Sequence, residues 1–262
     1  MERKKEDAMR KPIYMLNYKV SNCLVDVRVN DMQALLMETM GDSEDDVTVN
    51  HLIPESGPQE IAFRVVPMLL KAKPGDKFEF EATLSRYVID EENHLRVSKM
   101  EDLLHYKLNE FSSKPKQQFT AMVPYKNRSF KDFETLEVDD RTKQLVRDAY
   151  LKLKQQLDAG DYDSFLETLA QRDEEMNQCL YWEMTEQDKA RRVIELAAKL
   201  QEGYTLAMPG PTDVLTQYGH GKLLRYVRTD LTSALVLRKG SEEYKIDVYL
   251  HKEPNSDVLT LI

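Results

Sequence analysis

The sequence predicts an α+β protein of two domains, in which an antiparallel β-sandwich precedes three helices packed on an antiparallel sheet. Apolar and polar residues alternate through much of the first half, as they do in strands with one buried face. From Asp139 onward the apolar residues recur at helical spacing, and after Tyr218 the two-residue period returns. A length of 262 residues also favours two domains. The predicted boundaries are a charged N-terminal segment at 1–11, the β-sandwich at 12–130 and the α+β domain at 131–262.

Four stretches of the first half carry the strand pattern, and turn residues separate them. The stretch 23–30 has Val25, Val27 and Val29 on one face, and Asn30-Asp31 follows it as a turn. The other predicted strands are 61–66, which Pro67 ends, then 78–85 and 117–124. The stretch 101–111 has a more helical pattern, so we expect it to be an insertion between strands.

Part of this domain resembles the galactose-binding-like jelly roll. The resemblance is carried by V-R-V-N-D at 27–31, V-N-H-L at 49–52 and G-P-Q-E-I-A-F-R-V at 57–65, and it covers about residues 20–90. It implies a jelly-roll-like sandwich of the kind that accompanies a catalytic or partner-binding domain. Asp31 replaces the turn glycine of that family and Gln59 replaces its asparagine. Sugar binding is not carried over, because no exposed aromatic platform is evident in the sequence.

The second half begins with three predicted helices. The first includes Leu145 to Leu157 and stops at Gly160; the second is capped by Asp161 or Asp163 and has apolar residues from Phe165 to Leu180. The third opens at Thr185 with Asp188 as a capping box, and Gly203 stands where a left-handed C-cap is expected. Strand patterns follow to the C-terminus. This order of elements is similar to that of NTF2-like cone-shaped domains, which implies helices packed on a curved sheet.

The charge balance limits the range of partners. The chain has 37 basic and 46 acidic residues, a formal net charge of −9, so nucleic acid should be repelled and a basic protein partner is favoured. No stretch approaches the roughly 20 apolar residues that span a bilayer, so we expect no membrane association. The N-terminus has basic residues without a following apolar region, which predicts a cytoplasmic protein unless a leader was removed. The oligomeric state stays open.

Three places are candidate contact sites for a ligand or partner. His220 lies between two glycines beside Tyr218, so its imidazole should be accessible; the plainer interpretation is an exposed hairpin turn. Asp45 and Asp46 belong to an acidic run at 42–46 that we expect to be a solvated loop and a contact surface for a basic partner. Tyr181 and Trp182 end an amphipathic helix, where inter-domain packing competes with a partner hot spot.

No catalytic residue or metal ligand is predicted, and no cofactor is implied. Phosphate-binding glycine loops, zinc-protease motifs and nucleophile elbows are absent from the sequence, and five scattered histidines have no metal-ligand spacing. The predicted function is therefore non-enzymatic binding or protein interaction, for example by an acidic bacterial immunity-type protein that docks onto a basic partner. The alternative is a small-molecule or carbohydrate-binding protein, or a hydrolase, with a pocket in the C-terminal α+β domain.

Overall fold

The structure is a computed structural model that describes residues 11–69, 77–89, 97–108, 116–128 and 130–262, apart from the side chain of Lys131. The chain divides into two compact units. The first comprises Met1–Arg128 with Cys179–Tyr181, and the second comprises Ser129–Gln178 with Trp182–Ile262. The predicted boundary at 130/131 is close to this division, while the two-domain organisation itself stays a prediction. Nearly all of the predicted segment 1–11 lies outside the described residues.

Eight described strands form two antiparallel sheets in the first unit. Their bounds are β1 Pro12–Ser21, β2 Cys23–Val29, β3 Met32–Glu38, β4 Asp42–Thr48, β5 Gly57–Pro67, β6 Glu79–Ile89, β7 Val97–Lys107 and β8 Lys116–Ala121. The strand orders are β4-β1-β6-β7 and β3-β2-β5-β8. The alternation read from the sequence buries Val25, Val27 and Val29 completely, as expected for a strand that faces the core. The jelly-roll resemblance stays a prediction.

The turn predicted at Asn30-Asp31 is confirmed. Both residues have left-handed backbone angles, with φ of 52° and 62°, and they join β2 to β3 as a two-residue hairpin. The Asn30 amide donates to the carbonyl of Leu52 and to Gln59 Oε1, each at 2.8 Å. Asp31 accepts a hydrogen bond from Arg28 at 3.1 Å. The two residues that depart from the jelly-roll pattern, Asp31 and Gln59, thus both stabilise this turn.

Two expectations for the first unit were wrong. The stretch 101–111 is not helical where it is described, since β7 runs to Lys107 and pairs with β6; residues 109–111 lie outside the described residues. The acidic run is not a loop but the edge strand β4, which pairs only with β1 among the described strands. Lys19 of β1 bridges to Glu44 at 3.0 Å and offsets part of the repulsion among these acids.

The C-terminal half contains all four described α-helices, and strands are found in both halves, so the α+β class is confirmed. The bounds are α1 Asp140–Asp158, α2 Tyr162–Thr168, α3 Ala170–Leu180 and α4 Glu186–Gln201. Short strands follow: β9 Thr205–Ala207, β10 Val214–Tyr218, β11 Leu223–Val227, β12 Val236–Lys239, β13 Glu242–Lys245, β14 Leu250–Lys252 and β15 Leu259–Leu261. They form two antiparallel sheets, β10-β11-β14-β15 and β13-β12-β9, where one was expected.

The predicted helix caps are largely confirmed. Asp161 accepts from the Ser164 N–H, and Thr185 and Asp188 form a reciprocal capping box. The second predicted helix is broken at Leu169 into α2 and α3. The Thr168 hydroxyl donates to the Ser164 carbonyl at 2.8 Å, and such back-bonding from a threonine bends helices. Both helices contribute residues to the site described next.

The core of the second unit lies between α1 and the sheets. The face of α1 at helical spacing, which includes Val146, Tyr150, Leu153 and Leu157, is buried in this core. Its partners include Leu224 and Leu250, which are directly paired across β11 and β14. This packing buries four large side chains of α1, although Leu151 stays 44% exposed, whereas α3 buries only Cys179 among its described residues. None of the described helices is long and apolar enough to cross a membrane.

Candidate functional site

A cleft of about 780 Å³ lies among α2, α3 and α4, and all of its lining residues belong to the second unit. Residues at helical spacing line it from each helix. From α2 these are Asp163, Leu166 and Glu167, and from α4 they are Lys189, Arg192 and Val193. Positions three and four apart share one helix face, so each helix turns a single face toward the cleft.

The face that α3 turns to the cleft is unusually polar. Ala170, Asp173, Glu174 and Asn177 recur at the i, i+3, i+4, i+7 spacing that normally marks an apolar stripe. Met176, which the sequence placed on the apolar side of this helix, is exposed instead. A helix that turns charges inward cannot close on its neighbours as an apolar core does, and the cleft stays open as a result.

An ion-pair network ties α3 to α4 at the cleft. One oxygen of Asp173 accepts from Arg172 at 2.6 and 2.9 Å, and the other accepts from Arg192 at 2.6 Å. The Asp173 side chain is 14% exposed, so its charge is largely desolvated and depends on both guanidinium groups. A second nitrogen of Arg192 lies 3.7 Å from the sulfur of Met184, another lining residue. Asp173 and Arg192 therefore neutralise one another within the protein.

The other acids of the cleft have no such partner. Asp163, Glu167 and Glu174 make no ion pair with any residue that the structure describes, whereas Lys189 is paired with Glu186 at 2.7 Å. Four carboxylates and two cations line the cleft, which leaves it a net charge of −2. Carboxylates held near one another without a counter-ion attract a cationic group.

Trp182 lies at this cleft and is 61% exposed. Its backbone is fixed by the end of α3, because the Trp182 N–H donates to the Asn177 carbonyl at 2.8 Å. Tyr181 just before it has φ of 58°, so the helix ends in a Schellman motif with a tyrosine where glycine is usual. An exposed indole on a fixed backbone offers a large contact area at a small cost in conformational entropy.

The side chain of Tyr181 is part of the first unit and does not line the cleft. Its hydroxyl donates to the Pro12 carbonyl at 3.0 Å, and its ring lies 6.0 Å from that of Tyr125. Burial raises the pKa of the Tyr181 phenol above its ordinary value. The two residues of the predicted pair therefore have different surroundings, and only Trp182 has an exposed ring.

His220 and Tyr218 lie at the β10–β11 turn, which is confirmed. His220 is exposed and has φ of 58°, between Gly219 and Gly221, which also have positive φ. Tyr218 is only 1% exposed; its hydroxyl accepts from Arg225 at 3.3 Å and its ring meets that of Tyr249 edge-on. Tyr218 is thus a core residue here, and neither it nor His220 lines the cleft.

Asp45 and Asp46 lie on the edge strand β4 in the first unit. Both are exposed, and they line a shallow depression of about 350 Å³ with Tyr18. Burial, together with these two carboxylates, raises the pKa of the Tyr18 phenol. The depression offers negative charge but no exposed aromatic or aliphatic anchor.

The functional residues that sequence reasoning missed are the free acids of the cleft and Arg192. In the sequence, Glu174 and Glu175 resemble paired carboxylates, but on a helix such a pair is expected to face solvent, which gives no indication of a cleft. The sequence feature that could have indicated the cleft is the four-residue spacing of Asp163 and Glu167, which puts both acids on the same helix face as apolar Leu166. Among the described residues, no group of histidine, cysteine, aspartate or glutamate side chains is arranged to hold a metal ion. Protein-family models, curated proteins and solved structures provide no significant match to this chain.

Proposed function

We propose that this protein is a non-enzymatic interaction protein that docks onto a basic protein partner through the cleft among α2, α3 and α4. The observation that carries the proposal is the exposed Trp182 at a cleft that also contains three carboxylates without ion-pair partners among the described residues. An acidic bacterial immunity-type protein that neutralises a basic toxin is one specific form of this function.

The two features supply different parts of an interaction. Tryptophan dominates the energetics of protein interfaces when a partner removes it from water. Uncompensated carboxylates add complementarity toward lysine or arginine and disfavour acidic competitors. The chain as a whole has a net charge of −9, which also favours encounters with a basic partner.

Affinity capture from a native lysate tests this function when it compares two matched variants. Trp182→Ala removes the indole at the cleft, and Ile194→Ala removes an apolar side chain that is 67% exposed on α4 but does not line the cleft. We expect the wild type and Ile194→Ala to retain a stoichiometric partner of net positive charge, and Trp182→Ala to lose it. A partner retained by Trp182→Ala, or one of net negative charge, would contradict the proposal.

A second function, binding of a small molecule or carbohydrate, is favoured by the size and lining of the same cleft. Its volume of about 780 Å³ lies within the range of ligand pockets. The amides of Asn177 and Gln178 accompany Trp182 there, and this combination suits a polar ligand that stacks on a ring. A thermal-shift screen of metabolites and sugars tests this alternative, since a ligand that binds the native state raises the melting temperature. A flat response across the library would count against it.

A further inference from the structure

The walls of the cleft indicate which kind of chain segment fits it. Three helices form most of the lining, and only Trp182 and Met184 come from the segment between α3 and α4, so the backbone N–H and C=O groups of the walls are largely used within the helices themselves. An extended segment needs partners for its own main-chain groups, normally the edge of a sheet. The cleft offers no strand edge, and the amides of Asn177 and Gln178 are too few to replace one. A helical segment satisfies its own backbone and needs only side-chain contacts.

The charges of the cleft are arranged asymmetrically. The free carboxylates of Asp163 and Glu167 lie one helical turn apart on α2, and that of Glu174 lies on α3. On the opposite side, the cations of α4 are already paired, Lys189 with Glu186 and Arg192 with Asp173. The cleft is therefore most complementary in charge to a partner whose basic side chains face α2 and α3 and are spaced by one helical turn.

Apolar groups occupy the remaining lining, together with the amides of Asn177 and Gln178. Leu166, Val193 and Met184 are half-buried, and Trp182 projects its ring into solvent at the same cleft. The cleft face of α3 extends from Ala170 to Asn177, which corresponds to about 11 Å or two helical turns. An apolar stripe of two turns on a partner helix has the length to cover this strip.

Resting on the proposed function, we infer that the partner element that enters the cleft is an amphipathic helix, with an apolar stripe against Trp182 and basic residues four apart against Asp163 and Glu167. This is the helix-in-groove mode of recognition, in which anchors at i, i+3, i+4 and i+7 fill a groove. The occupant adds a further helix to the three that form the walls and supplies the cations that three carboxylates lack.

Site-specific photo-crosslinking tests the inference with the full chain. The substitution Trp182→p-benzoylphenylalanine keeps a large aromatic group at the cleft, unlike Trp182→Ala, and makes it photo-reactive. Ile194→p-benzoylphenylalanine places the same group on the exposed side of α4 as a control. Both positions are exposed, so the variants should fold, which circular dichroism checks. In native cells we expect position 182, but not position 194, to cross-link to a segment with helical apolar spacing and basic residues four apart.

The cross-linked segment then serves as a synthetic peptide probe, with any tryptophan replaced by phenylalanine. Trp182 is the only tryptophan of the chain, so its fluorescence reports directly on the cleft. A proline at the centre of the peptide should weaken binding by about tenfold or more, because it breaks the helix. Glu167→Gln in the protein should weaken binding by about fivefold.

The outcomes separate the two proposals. A cross-linked segment that is acidic, that alternates like a strand or that binds equally well with the central proline overturns the helical inference and leaves the docking function standing. The absence of a cross-link from position 182, together with capture of the same partner by Trp182→Ala, overturns both.

Discussion

Asp173 and Glu174 are adjacent carboxylates on α3 whose surroundings predict opposite results on substitution. Asp173 accepts hydrogen bonds from Arg172 and Arg192, and Glu174 has no ion pair among the described residues. Asp173→Asn keeps the shape of the side chain but turns a carboxylate into an amide between two guanidinium groups. Hydrogen bonds to charged groups contribute about 1.5–3 kcal/mol each.

The expected loss for Asp173→Asn is smaller than the sum of its bonds. The Arg172 and Arg192 side chains are 22% and 32% exposed, so solvent screens part of the interaction and both can recover water when it is lost. We therefore expect the free energy of unfolding to fall by about 1–3 kcal/mol. Glu174→Gln should change it by less than about 0.5 kcal/mol, as is usual at exposed positions.

Urea unfolding measures both variants. Trp182 fluorescence follows the second unit and circular dichroism follows the whole chain, and the dependence on denaturant should stay unchanged for each variant. Partner capture should then show the reverse order: Glu174→Gln weakens it, although its stability is that of the wild type. The reasoning fails if Glu174→Gln is destabilised as much as Asp173→Asn, or if Asp173→Asn unfolds at the wild-type midpoint.

Three further predictions concern stability. Asn50 is fully buried and its side chain bonds the Tyr14 N–H and two carbonyls, so Asn50→Ala should cost about 3–5 kcal/mol in denaturant unfolding. The control Asn17→Ala should stay within about 0.5 kcal/mol, and a similar loss there would undermine the explanation. The Tyr150 hydroxyl is buried, and its contact with the Tyr226 backbone lies outside normal hydrogen-bond geometry. Tyr150→Phe should therefore be neutral or stabilising by up to about 1 kcal/mol, and a clear loss would show that this contact is a stabilising hydrogen bond. Hydrogen bonds from Thr185 lower the pKa of Asp188 in the folded protein. Asp188 therefore stabilises the folded state fully above the pKa of an unfolded aspartate, about 3.9, and this stabilisation is lost as the pH falls through the lower pKa of the folded state. Melting temperatures of Asp188→Asn should depend less on pH between about pH 4 and 2 than those of the wild type, and identical slopes would contradict this assignment.

Local signals in the sequence predicted much of the fold. The alternation in β2, the Asn30-Asp31 turn and the Thr185–Asp188 capping box each depend on residues within a few positions of one another. The patterns can therefore be read locally, although distant contacts such as the bonds of Asn30 to Leu52 and Gln59 add to their stability.

Elements that depend on distant partners were missed. The stretch at 101–107 contains Leu103, Leu104 and Tyr106 at spacing that suits a helix, yet pairing with β6 makes it a strand with two register shifts. The acids of β4 have low strand propensity, and the strand exists because β1 pairs with it along seven residues. In both cases long-range hydrogen bonding overrides local preference.

The cleft was missed for a related reason. Its residues come mainly from three helices that are separate in the sequence, and tertiary packing alone brings them together. The lining residues from Asp163 to Asn177 keep one helical stripe through the break at Leu169, but a stripe of charges is typical of a solvent-facing surface, so sequence spacing alone could not show that Glu174 lines a cleft. Trp182 was identified because an aromatic pair at a helix end is conspicuous without knowledge of the packing.

The two acidic surfaces of the protein are not equivalent as docking sites, although the sequence drew attention to only one of them. Asp45 and Asp46 on β4 contribute to the negative field, which under the proposed function raises the rate of encounter with a basic partner. That strand offers no aromatic anchor, and exposed charge by itself adds little to the lifetime of a complex. The cleft combines uncompensated carboxylates with an exposed indole on a fixed backbone. Under the proposed function, charge across the whole surface therefore favours encounter with the partner, and burial of Trp182 favours its retention.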